Sequence, residues 1–143
     1  MTLVELAVVV FIIGLLGVMA VTRYGASTIA DVDAQGFAQR IALDCAQARR
    51  RAIATGDNHL LRFTLSAGEA TQYALHRRQG ASTNQVDALH PLPADVTVTT
   101  GGVTDVEFNF TGEAIASYVI TLQAPDRTWT VTVPQVTGKA FVD

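Results

Sequence analysis

From Leu6 to Val21 the chain carries no charged and no polar side chain, yet a carboxylate, Glu5, stands at the head of the run. A helix that is apolar all round needs either the dry centre of a protein or a bilayer around it. At 1.5 Å rise per residue, Leu6–Val21 spans about 24 Å, and extending it back to Thr2 makes it just long enough to cross a slightly thinned bilayer. Glu5 narrows the choice further. A charge inside hydrocarbon costs roughly 2.5–3.5 kcal/mol on insertion scales and normally stays because it has a partner. The candidate partner is the α-amino group of Met1 in a second copy.

The chain has 143 residues and a net charge of −3. Setting aside the apolar head and its helical continuation leaves roughly ninety residues, enough for one small domain. The acidic balance argues against a general nucleic-acid binder, which shows a basic footprint. The single cysteine, Cys45, excludes an intrachain disulfide, so the soluble part must hold by its core. Gly17-Val18-Met19-Ala20 weakly imitates a signal-peptidase site, but no Lys or Arg precedes the apolar run and an acid stands where a base belongs. The expectation is an uncleaved membrane helix.

Helical patterning continues beyond the apolar run. Phe37, Ile41, Cys45, Ala48 and Ala52 fall at spacings of three and four, on one face, while Gln39, Arg40, Gln47, Arg50 and Arg51 occupy the other. Thr55-Gly56-Asp57-Asn58 ends the helix, with Gly56 as a left-handed cap. Gly25 and Ser27-Thr28 are positions where the helix could loosen or bend.

The rest reads as strands. His59–Leu65 alternates, Ser66–Glu69 turns, and Thr71–Arg77 returns as a hairpin partner. Residues 79–93 read as a polar loop. Strands follow at Val96–Thr100, around Val106, Phe108 and Phe110, at Tyr118–Leu122, at Trp129–Val133, and at Lys139–Val142. Ala124–Arg127 is a proline-containing turn. One helix followed only by strands points to an α+β fold, a long N-terminal helix packed on antiparallel sheet. The expected organisation is a transmembrane or filament-core helix over 1–24, an amphipathic helix over 25–56 and a β-rich globular domain over 57–143.

Thr2-Leu3-Val4-Glu5-Leu6 followed by Ala7-Val8-Val9-Val10-Phe11-Ile12-Ile13-Gly14 closely resembles the mature N-terminus of type IV pilins and type II secretion pseudopilins. The register agrees, since the glutamate is the fifth residue. In that family a prepilin peptidase cuts before residue one, usually Phe, and methylates the new amine. The resemblance thus implies numbering from the cut, with Met1 departing from the common Phe. Thr22 stands where many members have Pro. Arg40–Gly56 (RIALDCAQARRRAIATG), Val106–Ala114 (VEFNFTGEA) and Val131–Val142 resemble the H-type pseudopilins and the T-type and U-type minor pilins more specifically.

The resemblance implies a pilin fold and a structural subunit, with Glu5 pairing to the N-terminal amine, Met1, of a neighbour. A carboxylate and an ammonium are each costly in hydrocarbon, and pairing offsets part of both penalties. One charge pair has one good register, so it fixes the stagger of apolar helices that otherwise slide. The plainer alternatives are that Glu5 lies at the membrane interface or satisfies its own Met1 amine. Gly14 and Gly17 weaken the helix by about 1 kcal/mol each relative to Ala. They serve either local melting on leaving the membrane or close helix packing.

Arg49-Arg50-Arg51 and His76-Arg77-Arg78 are the basic clusters. Some T-type minor pilins bind DNA, which would make Arg49, Arg50, Arg51, Arg77 and Arg78 a contact patch. The plainer reading is solvated faces, with arginines pairing to Asp44, Asp57 or Glu69, and nucleic acid is not the favoured partner. His59, His76 and His90 lack metal-ligand spacing. No nucleophile elbow or phosphate loop is present, so neither catalysis, a metal nor a cofactor is expected. Cys45 reads as a buried helix residue, while Trp129, Phe63, Phe108 and Phe110 sit at core-like positions.

The expected function is therefore a filament subunit held in the inner membrane before assembly and found afterwards in an extracellular or periplasmic filament. Its partners would be further copies or other pilins, an inner-membrane assembly platform and the prepilin peptidase, with extension driven by a separate cytoplasmic ATPase. The alternatives are a minor subunit that initiates or caps a secretion pseudopilus, and a non-polymerising membrane-anchored adhesin or DNA-binding domain.

Overall fold

The computed structural model of the protein describes residues 2–143, and the side chains of all of these except positions 22, 23, 24 and 26. Helix α1 (Leu3–Thr55) is a single element of 53 residues, about 80 Å long at the standard rise. It continues through Gly25 and Ser27-Thr28 without interruption. Gly56 closes it at φ 74°, with its N–H bonded to the Ala52 carbonyl at 3.0 Å, a left-handed cap that favours glycine.

The two ends of α1 live in different surroundings. From Leu3 to Val21 every side chain is exposed. From Ala30 onward one stripe sinks into the head: Ala30, Ala34, Ala38, Ile41, Cys45, Ala48 and Ala52 are all buried. Most of these are small, so the strands lie close against the helix backbone. Ile41, Cys45, Ala48 and Ala52 are where the periodicity placed them. Phe37 is only half-buried, and the stripe's alanines at 30, 34 and 38 do that work instead.

Two antiparallel sheets make up the head. The first holds β1 (Asn58–Ser66), β2 (Glu69–Gln79), β3 (Ser82–Gln85), β4 (His90–Pro91) and β6 (Asp105–Phe108), in the order β3-β2-β1-β6 with β4 also on β2. The second, in the order β5-β7-β8-β9, holds β5 (Thr97–Thr99), β7 (Tyr118–Gln123), β8 (Thr128–Val133) and β9 (Phe141–Val142). Ala67 and Gly68, at φ 53° and 89°, turn β1 into β2, the left-handed pair that a tight hairpin needs. The register sets Phe63 opposite Tyr73 and Leu61 opposite Leu75. These side chains join Val106, Phe108, Ile120, Leu122 and Val131 beneath the alanine stripe in one core.

Three sequence expectations are corrected here. Residues 79–93 are not all loop, because β3 and β4 extend the first sheet, with His76 opposite Gln85 and Tyr73 opposite His90. Phe110 is not a core residue and is 61% exposed. The strand stops at Phe108 because the Asn109 side chain closes a turn: its Oδ1 accepts from the N–H groups of Thr111 (3.0 Å) and Glu113 (2.9 Å). The alternation that put Phe110 inward ends one residue too soon. The closing strand is also shorter than expected, at Phe141–Val142.

Candidate assembly helix

Helix α1 begins at Thr2, whose extended backbone (φ −87°, ψ 155°) makes it the N-cap. Thr2 Oγ1 accepts from the Glu5 N–H at 3.3 Å, and Glu5 Oε2 accepts from the Thr2 N–H at 3.4 Å. This is a capping box, in which two of the unpaired donors at a helix start are satisfied reciprocally. Thr2-Leu3-Val4-Glu5 carries the sequence signature of that box, so Thr2 is the residue that the reading of Glu5 alone overlooked. Met1 lies outside the described residues. Both hydrogen bonds are long, and a carboxylate has acceptor positions beyond the one used here.

Beyond the cap, Leu3–Val21 is long and apolar enough to cross a membrane, and none of it is buried within the chain. A Cβ added at Gly14 or at Gly17 would meet no atom of this chain within 4 Å. No contact within the molecule requires glycine at either position.

At its other end α1 is pinned to the head. Arg49 Nε donates to the Gly112 carbonyl oxygen at 2.7 Å. Gly112 (φ 86°) sits so close to the helix that a Cβ would stand 2.7 Å from Ile53 Cδ1 and 3.2 Å from Arg49 Nε. Gly138 (φ 57°) packs against the same carbonyl, where a Cβ would collide with the Gly112 oxygen. The Ala114 N–H to Gln135 carbonyl bond, at 3.0 Å, ties the two loops together. Helix, Asn109–Glu113 turn and 134–138 loop therefore meet at two glycines.

A long helix whose second half is covered by two antiparallel sheets is an arrangement seen in solved structures. The crystal structure of the type IV minor pilin FimU of Pseudomonas aeruginosa matches at a TM-score of 0.64 and 13% identity, covering 76% of this chain and 87% of that one. The minor pseudopilin EpsH of the Vibrio cholerae type II secretion system matches at 0.59 and 14% identity, covering 77% and 94%. The chain has the pilin fold. By sequence it matches no protein-family model and no curated protein.

Within this pilin head the basic clusters are largely tied down. Arg77 donates to Asp57 through Nε at 2.7 Å, and its second contact is to the same oxygen. Arg78 bridges Asp105 and Glu107 at 3.2 Å each, and Arg62 donates to Asp105 through two nitrogens at 2.9 and 2.8 Å. Arg49 is held by Gly112, Arg51 is half-buried, and Arg50 is exposed. Of the three acids expected to pair with arginines, Asp57 does so. Asp44 instead accepts from the Tyr73 hydroxyl at 2.6 Å, and Glu69 stands exposed at the start of β2. The main acceptor is Asp105, which the antiparallel register sets opposite Arg62.

Burial and partners set the titration of these groups. The hydrogen bonds from Arg62 hold the Asp105 carboxyl below the usual carboxylate range, and those from Arg77 do the same for Asp57. Burial, then the Arg62 charge, lowers His76. Burial raises the Tyr73 and Tyr118 phenols, and burial next to Asp44 pushes the Cys45 thiol up to about 12. His90 rests on Tyr73 at 5.3 Å between ring centroids and lies 3.0 Å from Arg40 Nη2. A guanidinium only donates, so His90 Nδ1 is the acceptor. Among the described residues no cluster of three or more His, Cys, Asp or Glu side chains could hold a metal.

Proposed function

We propose that this chain is a subunit of a type IV pilus-like filament or secretion pseudopilus, and that α1 is both its membrane anchor and its assembly element. The observation that carries the reading is the unburied apolar stretch Leu3–Val21, headed by Glu5 and continuous with the helix that supports a pilin head. Residues 1–24 would lie in the inner membrane before assembly and in the filament core afterwards. Residues 25–56 would hold the head, and 57–143 would coat the filament in the periplasm or outside the cell. The role is structural, without catalysis.

In this reading Glu5 exchanges its long bond to Thr2 N–H for a charge-assisted contact to the N-terminal amine of a neighbour, Met1. That exchange becomes favourable when packing of apolar helices removes water. Gly14 and Gly17, which no contact inside the chain requires, leave room for a neighbouring helix. Processing and methylation by a prepilin peptidase and extension through an inner-membrane platform complete the scheme. Both solved structures named above are minor subunits, which supports a minor, initiating or tip position. A nucleic-acid role for Arg49, Arg50, Arg51, Arg77 and Arg78 is not favoured, since most of these guanidinium groups are already engaged.

Co-expression with a processing and assembly system tests this. Glu5→Ala should still insert into the membrane, while filaments containing the chain disappear or shorten. Filaments of normal yield from Glu5→Ala sink the pairing. Electron microscopy with a tagged head separates copies along the shaft from a single copy at the tip. A chain found in neither position is a lone membrane-anchored domain.

A further inference from the structure

Asn109-Phe110-Thr111 is an N-x-Thr sequence, and of the three asparagines in the chain only Asn109 has Ser or Thr two residues on. That spacing is the acceptor for N-linked oligosaccharide in exported proteins, and it carries weight where it falls in a surface loop. The three residues follow directly on β6 and turn at the surface: Phe110 is 61% exposed, Thr111 is exposed and Asn109 is half-buried.

Hydrogen bonds distinguish the two ends of the Asn109 carboxamide. Its Oδ1 accepts three times, from the N–H groups of Thr111 and Glu113 and from the Thr111 hydroxyl at 2.6 Å. An amide nitrogen does not accept, so the three donors identify the oxygen and place the nitrogen. Among the described residues Nδ2 has one partner, the carboxylate of the exposed Glu113, at 3.3 Å. A sugar on Nδ2 replaces one of its two hydrogens, the other stays for Glu113, and every bond to Oδ1 survives. The turn that ends β6 therefore tolerates the product. Space is present as well. Asn109, Glu113, Ile115, Gln135 and Val136 line an open groove of about 500 Å³, with Ile115 and Val136 exposed. Amide and carboxylate groups beside apolar side chains suit a sugar, which has a hydroxyl rim and C–H faces.

We infer that Asn109 is an N-glycosylation site, modified on the newly exported chain by an oligosaccharide from a lipid pyrophosphate donor. The Nδ2 lone pair bonds to the anomeric carbon of the first sugar. The bond from that carbon to the pyrophosphate oxygen breaks, the lipid pyrophosphate leaves with the electron pair, and the nitrogen gives up one proton. A lipid-linked donor lies at the membrane surface. In the folded chain the turn stands beside Ile53, about 48 Å along α1 from Val21. Transfer therefore precedes closure of the head, and the folded groove receives the glycan afterwards. The inference rests on the head lying outside the cytoplasm.

The full chain is produced in its native cells, and protease access from outside in spheroplasts first reports where the head lies. Mass spectrometry of the fragment containing Asn109 should show the added mass of an oligosaccharide, located on Asn109 itself. The added mass should vanish in Asn109→Gln and in Thr111→Ala and remain in Thr111→Ser, which keeps the hydroxyl. An accessible head with unmodified Asn109 overturns the inference and leaves the export reading intact. Sugar that persists in Asn109→Gln overturns it as well, because another residue then carries it. A head protected from protease removes the export reading, and the inference with it.

Discussion

Arg49 Nε and the Gly112 carbonyl oxygen are 2.7 Å apart, and this bond joins the last turns of α1 to a loop far along the chain. Gly138 packs against the same Gly112 carbonyl with no room for a methyl group. Both glycines hold positive φ, at 86° and 57°. Gly138→Ala therefore meets strain and collision with backbone at once. It should destabilise the chain by about 2–4 kcal/mol, read from urea or thermal unfolding of the detergent-solubilised protein. Arg49→Met should cost about 1–2 kcal/mol through the unpaired Gly112 carbonyl.

Ala67 carries φ 53° beside Gly68 in the first hairpin, a conformation costing an alanine about 1–2 kcal/mol. Ala67→Asn fits that turn better and should raise stability by roughly 0.5–1 kcal/mol, visible as a higher unfolding midpoint.

Phe108 and Phe110 lie two residues apart with opposite fates. Phe108→Ala empties the core and should destabilise by about 3–5 kcal/mol. Phe110→Ser should stay within about 0.5 kcal/mol of the parent, since its ring is in solvent. Equal effects on chemical denaturation would mean that the strand continues through Phe110.

The pH dependence has a definite sign. His76 is lowered in the folded chain by burial and by Arg62. The unfolded chain then binds its proton first, so stability falls as pH drops below about 6.5 and goes on falling until the folded form also titrates. Asp105 is lowered by Arg62, so its contribution is present above about 3.9 and is lost as pH falls through the depressed folded value. His76→Gln should flatten the first limb of a denaturation-midpoint titration and Asp105→Asn the second.

Cys45 is wholly buried, and its thiol is pushed up to about 12. At neutral pH it should resist iodoacetamide in the folded chain and react on denaturation, so the alkylation rate measures opening of the helix–sheet junction.

Much of this was legible in the sequence because it obeys short periods. A polar-free run, spacings of three and four, and Gly56 after Thr55 each determine local structure nearly alone, whereas the alternation expected at His59–Leu65 fails at Leu60, which is buried along with His59 and Leu61. Tertiary placement governs what was missed. Phe110 reads as inward until the Asn109 side chain captures two N–H groups and ends the strand. β3 and β4 are too short and polar to announce themselves and exist because β2 offers an edge. Asp105 became the hub for Arg62 and Arg78 only through cross-strand register, which residues distant in sequence do not reveal. At the N-terminus, the three-residue spacing of Thr2 and Glu5 is the signature of the capping box that the structure shows.

Because Leu3–Thr55 is one uninterrupted helix, the head is joined to the apolar half without a break in the helical backbone. Each residue advances the helix by about 1.5 Å and turns it by about 100°. The alanine stripe from Ala30 to Ala52 locks the sheets to one azimuth of that screw. Turning the apolar half about the helix axis therefore turns the sheets with it, and the face that Leu3–Val21 presents to its surroundings is tied to the direction in which the sheets point.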